Sequence, residues 1–275
     1  MNLCGIKFKE NTVVKYDEKR KQEGKLFGVP VLYPTPNRVD GNTFTFQDKT
    51  FNGQMHGFAK HVAFEITKKE ISEAEVILKG TLLWDEKRDG FLEFPFKSRL
   101  IIELSIHERE ILYRYTIVNE SSGVLPFGFG LHPFFHSEKG QETIRVFSDY
   151  VMEMTNEKLP TGKLLPVKET AFDLKKGKKV SEQEYDHVYT VSENPAAVIA
   201  YKNFELILEA SEEFGHIVVY TPQENFFCIE NQTCSTNAHN LYAKGFEKES
   251  GLLFIEPGDK KSGFIRYRFQ ESAQV

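Results

Sequence analysis

The sequence predicts an all-β fold, a large antiparallel β-sandwich of two curved sheets with very little helix. Apolar and polar residues alternate over long stretches, which is the pattern of strands that bury one face. Turn signals such as Asp89-Gly90 and Thr161-Gly162 separate these stretches, and helical periodicity is scarce. The aromatic content of 13% also favours strands. Because β-sandwiches often reach this length as one unit, we expect residues 1–275 to form a single domain.

The clearest pair of strands lies between Phe96 and Val118. Alternating apolar residues lead into a turn at His107–Glu110, and a second alternating run follows, which predicts a long antiparallel hairpin. The remaining predicted elements are strands at Thr12–Tyr16, Val29–Tyr33, Ala74–Trp84, Ile144–Met152, Ala196–Glu209, His216–Tyr220, Phe226–Glu230, Leu252–Ile255 and Gly263–Phe269, and one short helix at Thr236–Ala243.

Composition argues against several classes of partner. The net charge is −5, and the basic cluster Lys175–Lys179 is short, so a nucleic-acid interface is not expected. No stretch approaches the roughly 20 apolar residues of a membrane span, and Met1–Phe8 lacks the apolar run of a signal peptide. Cys4, Cys228 and Cys234 cannot all pair within one chain, and none lies in a CxxC motif. We therefore expect a reduced cytoplasmic protein, either a monomer or a homodimer.

Glu230 is the first of several candidate functional residues. It follows the apolar run Phe226–Ile229, at the predicted end of a strand. Apolar surroundings should raise the pKa of its carboxyl group, which suits a general base near neutral pH. The residues Asn231–Thr233 could hold this carboxylate or bind sugar hydroxyls. An ordinary strand-terminal glutamate remains the alternative interpretation.

His132 is the natural acid–base partner of such a carboxylate. It lies in the segment Gly130–His136, where Pro133 favours extended backbone at His132 and the flanking Gly and Phe residues indicate a tight, partly buried position. An imidazole titrates near neutral pH and can donate or accept a proton. The alternative is a core or edge histidine that bonds to a backbone group.

Arg38, His56 and Asp186 could hold a polyhydroxylated molecule. Arg38 follows the rigid turn Pro34–Asn37, and its guanidinium offers several donors to vicinal hydroxyls or anions. His56 could donate a hydrogen bond to a ring oxygen, and Asp186 could accept hydrogen bonds from two hydroxyls. Each of the three could equally be a surface or structural residue.

Five histidines, His56, His61, His132, His136 and His187, also permit a metal-binding hypothesis. A metal site prefers two ligands on one element and a third elsewhere. His132 and His136 are four residues apart in a segment that is predicted to be extended, and would be about 13 Å apart. The sequence therefore favours catalysis without a metal.

Taken in order, these short polar islands resemble the pattern of the aldose 1-epimerase (galactose mutarotase) family over most of the chain. The resemblance rests on Asn37-Arg38, His56-Gly57, His132 with Phe135, Asp186, and Glu230 followed by Asn240. It implies a β-supersandwich that interconverts the α and β anomers of a free aldose without a cofactor. Glu230 would take the proton of the C1 hydroxyl, His132 would protonate the ring oxygen, and His56 would assist there. Arg38, Asp186 and Asn37 would bind the sugar.

The chain also departs from the family pattern. Pro133-Phe134 replaces the usual Ser-Tyr, Asn231 stands where Pro is common, and Lys60 stands where many relatives have Arg. A hexose-6-phosphate 1-epimerase subgroup shares the fold, but its Trp-Arg-Gly-Gly element is absent from the chain. Three alternatives remain beside the free-aldose epimerase: a phosphorylated substrate, a sugar-binding or sugar-sensing protein without turnover, and a glycoside-cleaving enzyme.

Overall fold

Residues 1–222 and 224–272 are described by a computed structural model of the chain. Its strands are β1 (Ile6–Phe8), β2 (Asn11–Val14), β3 (Val31–Leu32), β4 (Thr43–Phe46), β5 (Lys49–Asn52), β6 (Glu65–Ile71), β7 (Val76–Trp84), β8 (Ser98–His107), β9 (Glu110–Asn119), β10 (Leu125–Phe127), β11 (Gly130–Leu131), β12 (Phe135–His136), β13 (Thr143–Val146), β14 (Tyr150–Met154), β15 (Pro160–Pro166), β16 (Lys178–Lys179), β17 (Asp186–Thr190), β18 (Ala197–Ala200), β19 (Phe204–Ala210), β20 (His216–Tyr220), β21 (Phe226–Gln232), β22 (Leu253–Ile255) and β23 (Lys260–Glu271). Its α-helices are α1 (Glu18–Gln22), α2 (Ala238–Ala243) and α3 (Glu247–Ser250).

Two large antiparallel sheets make up most of the fold. The first has ten strands: eight in the order β1-β2-β12-β21-β20-β17-β14-β15, with β11 and β3 attached beside β21. The second has nine strands in the order β16-β13-β18-β19-β23-β9-β8-β7-β6. The predicted all-β, antiparallel sandwich with little helix is therefore confirmed.

The main hydrophobic core lies between the two sheets. Phe8 of β1 stacks on Phe269 of β23 with ring centroids 4.8 Å apart, and Phe135 of β12 meets Tyr267 of β23 at 6.0 Å. Successive side chains of a strand point to opposite faces, so each strand of the ten-stranded sheet has a second face that turns away from this core. That second face carries the polar cavity described below.

Several predicted elements are confirmed. The hairpin expected between Phe96 and Val118 is formed by β8 and β9, which pair along their whole length. The strand predicted at His216–Tyr220 has the bounds of β20, and the helix predicted at Thr236–Ala243 is α2, which begins two residues later. The sequence does not predict α1 or α3, because helices of five and four residues are too short to show a periodicity. Of the residues described, none forms a helix with the length and apolar character needed to cross a membrane.

Two predicted strands are wrong, because each is a pair of strands. The segment Ile144–Met152 divides into β13 and β14, which belong to different sheets. Between them the Ser148 hydroxyl donates to the carbonyl of Tyr150 at 2.7 Å and turns the chain. The segment Ala196–Glu209 divides into β18 and β19, a hairpin that turns at residues 201–203. Apolar residues continue across both turns, which hides them from a pattern analysis.

The predicted position of Glu230 at the end of its strand is also wrong. β21 continues two residues further, to Gln232, and all seven of its residues are buried. It pairs with β20 on one side and with β11 and β12 on the other. Glu230 is therefore held inside a central strand, which fixes its backbone more firmly than a strand end would.

Candidate active site

The alternation of β21 divides its side chains between two environments. Phe227 and Ile229 belong to the main core between the sheets. Phe226, Cys228 and Glu230 have the opposite parity, and Phe226 and Cys228 form a small separate cluster with Phe134. Glu230 therefore lies on the face of the ten-stranded sheet that turns away from the main core, beside the small apolar cluster of Phe134, Phe226 and Cys228.

Glu230 is almost completely buried, with 2% of its surface exposed. Its Oε2 accepts a hydrogen bond from Nε2 of Gln232 at 2.8 Å, and its Oε1 lies 3.4 Å from Nε2 of His132. Burial raises the pKa of Glu230 to about 8, and the Gln232 hydrogen bond acts in the opposite direction. The sequence-based expectation of a raised pKa agrees with these surroundings. Of the two roles expected for Asn231–Thr233, holding the carboxylate and binding hydroxyls, Gln232 has the first.

His132 follows β11 directly, and its N–H donates to the carbonyl of Pro30 at 3.1 Å. Its ring stacks on that of Phe134, with centroids 4.7 Å apart and planes 8° apart. Burial lowers the pKa of His132 to about 3. Because burial disfavours charge on both His132 and Glu230, the two neighbouring groups hold one proton between them at neutral pH.

His56 is held by reciprocal hydrogen bonds with Asn37. The N–H of His56 donates to the carbonyl of Asn37 at 2.9 Å, and the N–H of Asn37 donates to Nδ1 of His56 at 3.2 Å. Both residues have left-handed backbone conformations, with φ of 63° and 62°. Nδ1 is therefore an acceptor, which leaves the proton of the neutral ring on Nε2. Burial, followed by the neighbouring His132, keeps the pKa of His56 well below its ordinary value.

Lys60 secures the loop that carries His56. Its Nζ donates to the carbonyls of Met55 and Gly57, which flank His56, at 2.5 and 2.6 Å. Burial lowers the pKa of Lys60 to about 8. Gly57 packs so closely on Tyr33 that a Cβ atom there would lie 2.1 Å from the Tyr33 carbonyl oxygen. These contacts fix a strained loop at the edge of the site.

Arg38 and Asp186 form a two-pronged ion pair across the cavity. The two terminal nitrogens of the guanidinium lie 3.3 and 3.0 Å from the two carboxylate oxygens of Asp186. The turn that carries Arg38 is tied to α2, because the N–H of Asn237 donates to the Arg38 carbonyl at 2.9 Å. Asn240, which the family resemblance associates with Glu230, donates to Oδ1 of Asn237 at 2.8 Å and so supports this turn.

These residues surround a cavity of about 430 Å³. One side is polar and one side is apolar. The apolar side contains Phe134 and Phe226, and the guanidinium of Arg20 covers both rings with its carbon 5.1 and 4.8 Å from their centroids. The cavity is lined by Arg20, Gly24, Lys25, Leu26, Asn37, Arg38, Met55, His56, Lys60, His61, His132, Phe134, Asp186, Val218, Tyr220, Glu224, Phe226 and Glu230.

All six residues selected from the sequence line this one cavity: Asn37, Arg38, His56, His132, Asp186 and Glu230. Of the five histidines considered as metal ligands, two lie elsewhere, since His136 approaches the carbonyl of Asn225 and His187 packs against Phe172. Sequence analysis considered Cys228 only in its cysteine count and did not associate it with Glu230, and it noted Lys60 only as a departure from the family. Cys228 could have been found from the strand period, because it lies two residues before Glu230 and shares its face.

A concave cavity with a buried carboxyl–imidazole pair on an antiparallel sandwich has the features expected of an acid–base site for a small polar molecule. The chain belongs to the aldose 1-epimerase family, whose sequence model matches residues 6–268.

Solved structures similar to the chain carry related descriptions. A galactose mutarotase-like protein from Clostridium acetobutylicum superimposes with a TM-score of 0.86 at 22% identity, over 98% of this chain and 90% of that one. A galactose 1-epimerase from Lactobacillus acidophilus NCFM gives a TM-score of 0.79 at 16% identity, over 98% and 89% of the two chains. A galactose mutarotase-like protein from Lactobacillus casei gives 0.78 at 15% identity, over 98% and 94%. At these identities the likeness demonstrates a shared fold.

Proposed function

We propose that this protein is a cofactor-independent aldose 1-epimerase that interconverts the α and β anomers of a free aldohexose. The observation that carries the proposal is the contact between Oε1 of Glu230 and Nε2 of His132, at 3.4 Å, on the wall of a sugar-sized cavity. Mutarotation needs one proton removed from the C1 hydroxyl and one delivered to the ring oxygen. A carboxyl–imidazole pair that shares one proton supplies both functions.

Glu230 acts as the base and His132 as the acid. Placing the shared proton on Nε2 of His132 leaves Glu230 ionised, with no change in the total charge of the pair. Glu230 then takes the proton of the C1 hydroxyl as His132 protonates the ring oxygen, so the C1–O5 bond breaks and an open-chain aldehyde forms. Rotation about C1–C2 exposes the other face of the aldehyde, and the reverse proton transfers close the ring.

The polar side of the cavity binds the sugar. His56 donates its Nε2–H to the ring oxygen or an adjacent hydroxyl, as its fixed tautomer allows. The Arg38–Asp186 pair presents donors and acceptors to neighbouring hydroxyls, and Asn37 lies beside it. Phe134 and Phe226 belong to the apolar part of the cavity lining, where the C–H groups of the sugar lie.

A phosphorylated sugar is the second candidate, because Arg20, Lys25 and Lys60 also line the cavity. All three cations already have partners in the protein, and Lys25 pairs with Glu23 at 2.8 Å. Arg20 donates to the Leu26 carbonyl at 2.8 Å and pairs with Glu224 at 3.2 Å, and Lys60 bonds to two carbonyls. A free aldose requires no rearrangement of these contacts and is therefore the favoured substrate.

Polarimetry on freshly dissolved α-glucose, α-galactose and α-glucose 6-phosphate tests the proposal. We expect faster mutarotation of a free hexose, near-complete loss of this acceleration in Glu230→Gln, and its retention in Glu142→Gln. Glu142 is a buried glutamate outside the cavity, and its carboxylate accepts a hydrogen bond from the Ser137 hydroxyl. Glu142→Gln therefore measures the general effect of replacing a buried carboxyl group by an amide. Hydrolysis of a methyl glycoside would instead indicate a glycoside-cleaving enzyme. Sugar binding without acceleration would indicate a binding protein.

A further inference from the structure

We propose that His132, Cys228 and Glu230 form a binding site for a thiophilic divalent cation such as Zn²⁺, and that the cation inhibits the enzyme by occupying its acid–base pair. The binding part of this proposal stands on the geometry of three side chains. The inhibition part rests on the proposed function.

The three side chains already have nearly the spacing of metal ligands. One ring nitrogen of His132, the Sγ of Cys228 and one carboxylate oxygen of Glu230 all lie within 4.8 Å of one another. Zinc–ligand bonds of 2.0–2.3 Å in a tetrahedron place donor atoms about 3.3–3.8 Å apart. The 3.4 Å between Nε2 of His132 and Oε1 of Glu230 falls in this interval. The thiol therefore needs to approach the other two groups by at most about 1.3 Å.

The fold supplies the rigidity that such a site needs. Cys228 and Glu230 are two residues apart on β21, with 0% and 2% of their surfaces exposed, and β21 is paired on both sides. His132 is clamped by the stacking of its ring on Phe134. Cys228 is free, and it forms no disulfide with Cys4 or Cys234. His132 and Glu230 line the cavity, so water or a sugar hydroxyl from the cavity could complete the coordination.

The donor set determines which cations bind. A thiolate, an imidazole and a carboxylate suit Zn²⁺, Co²⁺ and Cd²⁺, whereas Mg²⁺ and Ca²⁺ prefer sites made only of oxygen atoms. Binding requires the Cys228 thiol to release its proton, and any proton on the Glu230 carboxyl group must also leave. A cation bound to Nε2 of His132 and to Glu230 removes both the acid and the base. We therefore expect Zn²⁺ to abolish turnover and Mg²⁺ to leave it unchanged.

Titration with Co²⁺ tests binding without any assay of activity. A sulfur-to-cobalt charge-transfer absorption should grow to one equivalent of Co²⁺ in the wild type, and Zn²⁺ should displace it. Cys234→Ser is the matched control, because Cys234 is also free and buried but belongs to a different apolar cluster. Cys228→Ser should lose the absorption, and His132→Asn should weaken the apparent affinity by more than about 100-fold, since loss of mere outer-shell partners costs 10–100-fold.

Polarimetry on the same samples tests inhibition. The expected result is a loss of turnover that follows the occupancy of the site and is reversed by EDTA. The absence of a charge-transfer band in the wild type, or its persistence in Cys228→Ser, would overturn the metal site. Full occupancy with undiminished turnover would overturn the inhibition. If the wild type shows no mutarotation at all, the proposed function fails, and the cobalt absorption still decides whether the site exists.

Discussion

Replacement of Gln232 by Met should move the pH dependence of the reaction without changing the shape of the site. Met has nearly the volume of Gln but cannot donate the hydrogen bond of 2.8 Å that Oε2 of Glu230 accepts. A hydrogen bond to a charged group contributes about 1.5–3 kcal/mol, and one pKa unit corresponds to about 1.4 kcal/mol. Loss of this donor therefore raises the pKa of Glu230 further by about 1–2 units.

The reactive form of the Glu230–His132 pair holds one proton, so the rate should decrease as the pH rises and the pair loses that proton. Burial raises the pKa of Glu230 to about 8, and kcat/KM for the wild type should therefore decline above about pH 8. In Gln232→Met this alkaline limb should move upward by about 1–2 pH units. Below the limb kcat/KM should fall by about 10- to 100-fold, because a higher pKa of Glu230 disfavours the form in which Glu230 is ionised and His132 carries the proton.

The assay is the initial rate of mutarotation from pH 6 to pH 10, with the spontaneous rate subtracted at each pH. Gln141→Met, a change of an exposed amide that bonds to the Lys139 carbonyl, is the control and should leave the profile in place. A uniform decrease in rate with the limb unmoved would refute the reasoning. It would mean that Gln232 acts through packing and does not tune the carboxyl group.

Three further outcomes are expected. His132→Asn should lower kcat by about 10²-fold or more, measured by anomeric-proton NMR, whereas an effect on KM alone would make His56 the better candidate for the acid. Asp186→Asn should raise KM more than it lowers kcat, because it breaks the paired contacts with Arg38; an unchanged KM would remove Asp186 from the binding site. Burial lowers the pKa values of His216 and His239 to about 4, whereas an unfolded histidine titrates near 6.5. The unfolded chain therefore binds more protons than the folded chain below about pH 6.5, and the free energy of unfolding should decrease as the pH is lowered. Urea unfolding at pH 7 and pH 5 should show a loss of about 2 kcal/mol per histidine, and His239→Gln should reduce the loss.

Local patterns predicted much of the fold. The alternation of β8 and β9 identified their hairpin, and the apolar residues before Glu230 indicated the surroundings that raise its pKa. Patterns failed where a turn interrupts an apolar run, as between β13 and β14, because both strands bury the same residue types. In such a segment only the pairing partners, which lie far away in the sequence, show that the chain has changed sheets.

The sequence predicted which residues line the candidate site, but it predicted few of the hydrogen bonds that hold them in place. Strand parity could have shown that Cys228 and Glu230 share a face. No local pattern shows that Asn237 binds the backbone of Arg38, or that the Nδ1 of His56 accepts from Asn37. These hydrogen bonds depend on loops with left-handed residues, whose paths the sequence does not determine without the surrounding fold.

The tie between α2 and the Arg38 turn has a consequence for folding kinetics. Asn237 and Arg38 are separated by almost 200 positions in the chain, and the side-chain Oδ1 of Asn237 also accepts a hydrogen bond from the N–H of Asp40. Contacts of such long sequence separation form slowly, because a large loop has to close before they contribute. The sheets can therefore gain most of their pairing before the candidate active site has its final shape. During refolding, the proposed mutarotase activity should return later than the circular dichroism signal of the strands.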